Sequence, residues 1–322
     1  MFLYDVKGIK LNKTNLWLDA HRNTDFSFVS HGHSDHLKNH KKILATPATI
    51  RFHAMRARQK EIIPLDYETA YELDDMRICL YPAGHILGSA MIYVERRNIS
   101  LLYTGDFKLQ PSATCEAITI PRADYLIMES TFGHPEYVVN KSRETLIDEI
   151  VFFIHDCVKK NFTPVIMGYS LGKAQEAMKI LGDLGYHVLV HQSAWRFASV
   201  YNEYGIQFPN CEPWGEQSVE PGDVLIIPPH LMGLRKLKNL PSRFKSVFLS
   251  GWANSATGAR FGCDHCIALS DHADFQELLH FIKAVNPQKV FTTHGDINFP
   301  DYIRDIGYEA ELLQLQSQVI LE

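Results

Sequence analysis

The hexapeptide His31-Gly32-His33-Ser34-Asp35-His36 follows directly on the apolar segment Phe26 to Ser30 and packs three imidazoles and a carboxylate into one loop. Imidazole nitrogen and carboxylate oxygen are ligand atoms for divalent transition metals, and polar side chains crowded against a buried segment cost free energy unless they are paired. The hexapeptide therefore marks the start of a metal site. It constrains the fold, because further polar residues have to reach this loop from turns elsewhere in the chain.

Such residues follow strand-like segments. Arg77 to Tyr81 ends in Pro82-Ala83-Gly84-His85-Ile86-Leu87-Gly88-Ser89, so His85 sits in a glycine-flanked turn before the next strand, Ala90 to Glu95. Leu101 to Tyr103 leads to Asp106, and Asp124 to Met128 ends at Glu129. Near the end, Ile267 to Leu269 runs into His272, and Lys289 to Thr292 into His294. Delivery of polar residues at strand ends is how a layered sheet builds a site from its loops.

Between these segments the texture changes. Ser142 to Lys160 has Leu146, Ile147, Ile150, Val151, Ile154 and Val158 at the helical period of a half-buried face. Pro164 to Met167 reads as a buried strand entering a turn with Gly168 and Gly172 and then a helix, a geometry that offers backbone N–H groups to an anion, although the P-loop spacing is absent. Residues 141 to about 255 thus read as an α/β unit inserted into the first.

A chain of 322 residues with 46% hydrophobic residues has room for this organisation. Met1 to Lys13 is interrupted by Asp5, Lys7 and Lys10 and lacks the apolar core of a secretory signal, and no run approaches the ~20 apolar residues of a membrane span. A soluble cytoplasmic enzyme without membrane association is the expectation. Of six cysteines, only Cys263 and Cys266, with His265 between them, have metal-like or redox-like spacing; the others read as buried thiols. The net charge of −5 opposes binding of nucleic acid by overall charge, yet Leu37 to Lys60 carries seven Lys or Arg and no acid. Leu234 to Lys245 is similarly basic, and together the two runs suggest a polyanionic substrate.

The order His31-x-His33-x-Asp35-His36, His85, Asp106, His294 resembles the metallo-β-lactamase fold, and the insertion resembles the β-CASP module of its nucleic-acid-processing branch. Glu129 of ESTFG, His272 of SDHADF and His294 of THGD match that branch's three motifs, and Gly172-Lys173-Ala174-Gln175-Glu176 is similar to its GRAQE turn, with lysine in place of arginine. The implied fold class is α/β, a metallo-β-lactamase αββα sandwich with an inserted α/β β-CASP domain. The implied domains are 1–140 and 256–322 for the sandwich and 141–255 for the insertion. The resemblance also implies two divalent metal ions, Zn or Mn, with His31, His33 and His85 holding one, Asp35, His36 and His294 the other, and Asp106 bridging. Asp35, Glu129 and His272 would be catalytic, His272 as proton donor to the leaving oxygen.

Within the branch, the short length and the blocks Ser250 to Ala253 and SDHADFQELL look like bacterial DNA exonucleases associated with DNA ligase and helicase genes. DNA is then the expected substrate and a ligase and a helicase the expected functional associates. Histidine at position 294 is common in the RNA-processing members, so a ribonuclease of the same fold stays open. A small-molecule metallohydrolase would not need Glu129, His272 or the long interval between Asp106 and His294. A non-catalytic binding module would not need every ligand and the proton donor.

Overall fold

The computed structural model describes residues 1–57, 61–215, 218–233, 237, 240, 242–254 and 262–319. The chain forms two compact units, one of Met1–Pro111, Cys115–Pro135 and His272–Glu322, the other of Ser112–Thr114 and Glu136–Asp271.

The first unit contains two seven-stranded sheets. From edge to edge the first runs Gln318–Val319, Phe2–Asp5, Gly8–Leu11, Leu16–Leu18, Phe26–Phe28, Lys42–Ala45 and Glu61–Pro64. The second runs Glu309–Leu312, Lys289–Gly295, Tyr125–Ser130, Ile99–Tyr103, Ala90–Arg96, Met76–Pro82 and Tyr71–Leu73. Successive side chains of a strand point to opposite faces, and in Met76–Pro82 the buried residues are Met76, Ile78, Leu80 and Pro82. The resulting inner faces meet: Phe2, Leu11 and Phe28 of the first sheet share one core with Ile78, Ile92, Leu101, Ile127 and Phe291 of the second. Phe2 and Phe291 pack edge to face at 5.1 Å across it.

Strand direction fixes where the site falls. Leu16–Leu18, Phe26–Phe28 and Lys42–Ala45 are mutually parallel neighbours, so Asp19, the His31 loop and Thr46 emerge at one end of the first sheet. Ile99–Tyr103, Tyr125–Ser130 and Lys289–Gly295 are parallel in the second, which brings Asp106, Glu129 and His294 to one end there. Ala90 N donates to Ser30 O at 2.8 Å, joining the two sheets beside the histidine loop. Some expected bounds shift: the strand before the loop closes at Phe28, and Glu129 lies within its strand rather than past it. The helix starting at Pro47, capped by Thr46, ends at Ala54; Arg58 and Lys60 of the basic run lie outside the described residues.

The second unit is a six-stranded parallel sheet ordered Cys211–Pro213, Val188–Val190, Val224–Ile227, Thr163–Met167, Phe244–Leu249 and His265–Ile267. Parallel sheets bury both faces, and here Ile166 and Val190 belong to one apolar cluster while Val165, Met167 and Leu189 belong to another. The Arg143–Lys159 helix contributes Leu146, Ile150 and Ile154 to the first of these. Half of the basic run from Leu234 to Lys245, including Arg235, Lys236 and Lys238, lies outside the described residues. Among the described residues no helix is long and apolar enough to cross a membrane.

Candidate metal centre

The loop after Phe28 turns His31 inward, fully buried, where Ser30 Oγ lies 2.9 Å from its Nδ1 and leaves Nε2 facing the centre. His33 Nδ1 is 3.0 Å from His31 Nε2 and 3.1 Å from His85 Nε2. Asp106 Oδ2 is 3.4 Å from His31 Nε2 and 3.8 Å from His85 Nε2. Ligand atoms at ~2.0–2.1 Å from a tetrahedrally bound ion stand roughly 3.4 Å from one another, so the four spacings, 3.0, 3.1, 3.4 and 3.8 Å, fit one divalent metal.

His85 is held by a turn tied on several sides. Ser89 Oγ accepts from His85 N and Ile86 N, Gly88 O accepts from both Thr46 and Thr49 hydroxyls, and Gly88 N donates to Glu116. Gly84 has φ +73°, and a Cβ there would stand 2.4 Å from Lys108 O, so the turn closes only with glycine at that position.

The other proposed ligands are less closely gathered. His36 Nε2 is 3.7 Å from Asp106 Oδ2 and 3.8 Å from Asp35 Oδ2, and the Asp35 side chain is largely exposed. His294, on the Lys289–Gly295 strand with φ +53°, is exposed; Ser130 Oγ donates to its carbonyl, and its ring lies edge-on to His21 at 6.3 Å. Asp35, His36 and His294 do not converge as His31, His33, His85 and Asp106 do; among the described residues the latter four form the largest group whose ligand atoms all lie within 4.8 Å of one another.

Behind His36 stands a residue that sequence reasoning missed. Asp19, buried just past Leu16–Leu18, accepts from His36 Nδ1 at 3.0 Å, Tyr103 OH at 2.9 Å and Ser30 N at 2.8 Å. Burial alone would raise its pKa, but His36 and the Ser30 donors lower it, so it is ionised. A carboxylate that takes the outer proton of an imidazole fixes its tautomer for ligation through the other nitrogen. The available signal was positional: Asp19 ends a short apolar strand, as Asp106 follows one.

Glu129 and His272 come together from distant parts of the sequence. His272 Nδ1 is 2.9 Å from Glu129 Oε1, and Glu129 is 2% exposed, with Thr131 N donating to Oε2 at 3.0 Å. Burial pushes Glu129 up, yet His272 and the Thr131 donors bring its pKa below the ordinary value. The His272 ring is centred 4.7 Å from that of His85, which sets the pair against the ligand group. Burial also pushes the Asp106 carboxyl up to about 6, against the pull of His36 and His272, and drives His31 well below its ordinary pKa, the neutral state a metal ligand requires.

The Gly172 turn differs from the anion cradle its spacing suggested. Gly172 N donates to Gln175 Oε1 at 2.8 Å and Ala174 N to Tyr169 O at 3.1 Å, while Lys173 is buried with Nζ 3.2 Å from Asp271 Oδ1. Those two N–H groups are engaged within the chain.

Three imidazoles and a carboxylate at the common ends of two stacked sheets define a metallo-hydrolase type of centre. Residues 264–312 match the family model described as a Zn-dependent metallo-hydrolase RNA specificity domain. A protein of Opitutus terrae named "Probable DNA ligase" is 38% identical over 327 residues, covering 99% of this chain and 32% of that protein. Cleavage and polyadenylation specificity factor subunit 3-I of Arabidopsis thaliana is 24% identical over 315 residues, covering 80% of this chain and 43% of its own. Endoribonuclease YSH1 of Candida albicans is 27% identical, covering 72% and 33% respectively. The chain thus spans about a third to two fifths of the length of these relatives. A crystal structure of an Enterococcus faecalis protein of unknown function shares the fold, with a TM-score of 0.65 at 15% identity over 92% of this chain and 81% of that one. Together these similarities support a metallo-β-lactamase, β-CASP nuclease family for the chain.

Proposed function

We propose that this chain hydrolyses phosphodiester bonds of DNA in a metal-dependent reaction and works from strand ends. The observation that carries the proposal is the buried Glu129–His272 pair, 2.9 Å apart, set against a ligand group that fits a divalent metal. His31, His33 and His85 would hold one ion and Asp35, His36 and His294 a second, with Asp106 shared. Zn or Mn bound there supplies positive charge to phosphate oxygens and a hydroxide near neutral pH.

The chain's own residues supply the proton. Glu129 takes Nδ1–H of His272 and, being ionised, favours the imidazolium, which leaves Nε2–H to protonate the departing ribose oxygen. Asp19 orients His36, and Ser30 orients His31. The unit of Ser112–Thr114 and Glu136–Asp271 is taken as the β-CASP domain and the unit of Met1–Pro111, Cys115–Pro135 and His272–Glu322 as the αββα sandwich, where the sequence suggested 141–255 for the one and 1–140 with 256–322 for the other. The Opitutus terrae relative's name supports DNA as substrate and a functional link to a ligase; a link to a helicase follows from the family resemblance.

A ribonuclease is the second reading, favoured by the RNA specificity description of the matched segment and by relatives named endoribonuclease. End-labelled single-stranded and duplex DNA, and RNA of the same sequence, separate the two. Stepwise shortening of DNA faster than RNA is expected. Cleavage of RNA alone would replace the first reading by the second, and cleavage of none would refute both.

A further inference from the structure

The sulfurs of Cys263 and Cys266 lie 3.3 Å apart, close to contact but unbonded. They flank Asp264 and His265 at the entry to the His265–Ile267 strand, an edge of the second unit's sheet. The turn is pinned at its centre. Asp264 Oδ2 accepts from Ser246 N and Ser246 Oγ at 2.9 and 3.0 Å, Asp264 N donates to Ser246 Oγ at 3.2 Å, and Lys245 pairs with Asp264 Oδ1. Cys266 is fixed in register opposite Phe248.

We infer that Cys263 and Cys266 form a redox-active dithiol that closes to an intramolecular disulfide by exchange with a small-molecule disulfide. A disulfide bond is about 2.05 Å long, so the sulfurs need to approach by little more than an ångström, within reach of side-chain rotation. Both residues are half-buried, so a small oxidant reaches them. Cys157 is buried, and the Cys79, Cys115 and Cys211 sulfurs lie against the carbonyls of Leu80, Gly84 and Met178. His265, between the two thiols, does not join them in a metal-ligand group among the described residues, which separates this motif from a structural zinc site.

The order of attack follows from the thiol pair itself. Burial and the neighbouring Cys263 push the Cys266 thiol up to about 12, so Cys266 holds its proton the more firmly. Cys263 gives its proton to solvent and, as thiolate, attacks one sulfur of the oxidant, whose S–S bond breaks and releases one thiol. Cys266 then loses its proton to solvent and attacks the Cys263 sulfur of the mixed disulfide. The Cys263–Cys266 bond forms and the second thiol leaves. The dithiol is oxidised by two electrons and the added disulfide reduced to two thiols; excess thiol reverses both steps.

The 322-residue protein equilibrated with glutathione at graded oxidised-to-reduced ratios, then unfolded in alkylating reagent and mapped by peptide mass, tests this. The peptide holding both residues should escape alkylation and be lighter by two hydrogens as the buffer becomes oxidising, while the other four cysteines alkylate throughout. Cys266→Ser should trap a glutathione adduct on Cys263. An adduct confined to Cys266 in Cys263→Ser would reverse the assigned order. Full alkylation of both thiols in oxidising buffer, or protection that disappears on metal chelation without loss of mass, would overturn the inference.

Discussion

The Nδ1 proton of His36 is committed to Asp19, which leaves Nε2 for a metal. Asp19→Asn keeps the shape but removes the charge, and should weaken metal binding by roughly 10–100-fold in competition with a chromophoric chelator. Unchanged affinity would remove Asp19 from the site. His272→Ala should keep its metal by mass spectrometry and lose about 10²–10⁴ of turnover, the usual contribution of a general acid. This is a genuine contest, since one oxygen or nitrogen each from Asp106, Glu129 and His272 also lie within 4.8 Å of one another. A variant depleted of metal would make His272 a ligand. The histidines of the loop were legible because their crowding has no packing explanation. Asp19 was not, because a single carboxylate after Leu16–Leu18 looks like any strand end until Tyr103, 84 positions later, is placed against it.

At the scale of elements, the segment after the histidine loop is anchored by His40. Its Nδ1 accepts from Thr24 N at 3.2 Å and lies 2.9 Å from Thr24 Oγ1, and burial above all pulls its pKa down to about 4 from an ordinary 6.5. The unfolded chain therefore binds the extra proton first as pH falls. The stabilisation is complete above about pH 6.5, declines as pH drops toward 4 and is flat below, a loss of the order of 3 kcal/mol. His40→Gln should flatten this part of the denaturant-measured stability profile relative to the unaltered chain; parallel profiles would contradict it. Helices declared themselves through their apolar period, as in Arg143–Lys159. Strands such as Glu61–Pro64 and Gln318–Val319 did not, because short edge strands offer too few residues for a pattern and are fixed by pairing with distant partners.

The candidate metal centre draws on distant parts of the sequence, with His31, His33, His85 and Asp106 as the group that could hold an ion and the Glu129–His272 pair alongside. Sequence order pointed to these residues; their convergence depended on sheet topology, since only parallel pairing of Ile99–Tyr103, Tyr125–Ser130 and Lys289–Gly295 puts their ends on one side. His85 sits in a turn tied by Ser89, Thr46 and Thr49, and His85→Ala should lower both metal content and cleavage without changing the oxidation of Cys263 and Cys266. The most direct measurement strips the purified chain with a chelator, restores Zn²⁺ or Mn²⁺ in measured equivalents and follows release of nucleotides from end-labelled DNA. Cleavage that vanishes on stripping, returns in proportion to bound metal and is lost in His85→Ala is the predicted result. Cleavage that persists in the stripped protein, or a fully metal-loaded protein that cuts neither DNA nor RNA, would contradict it.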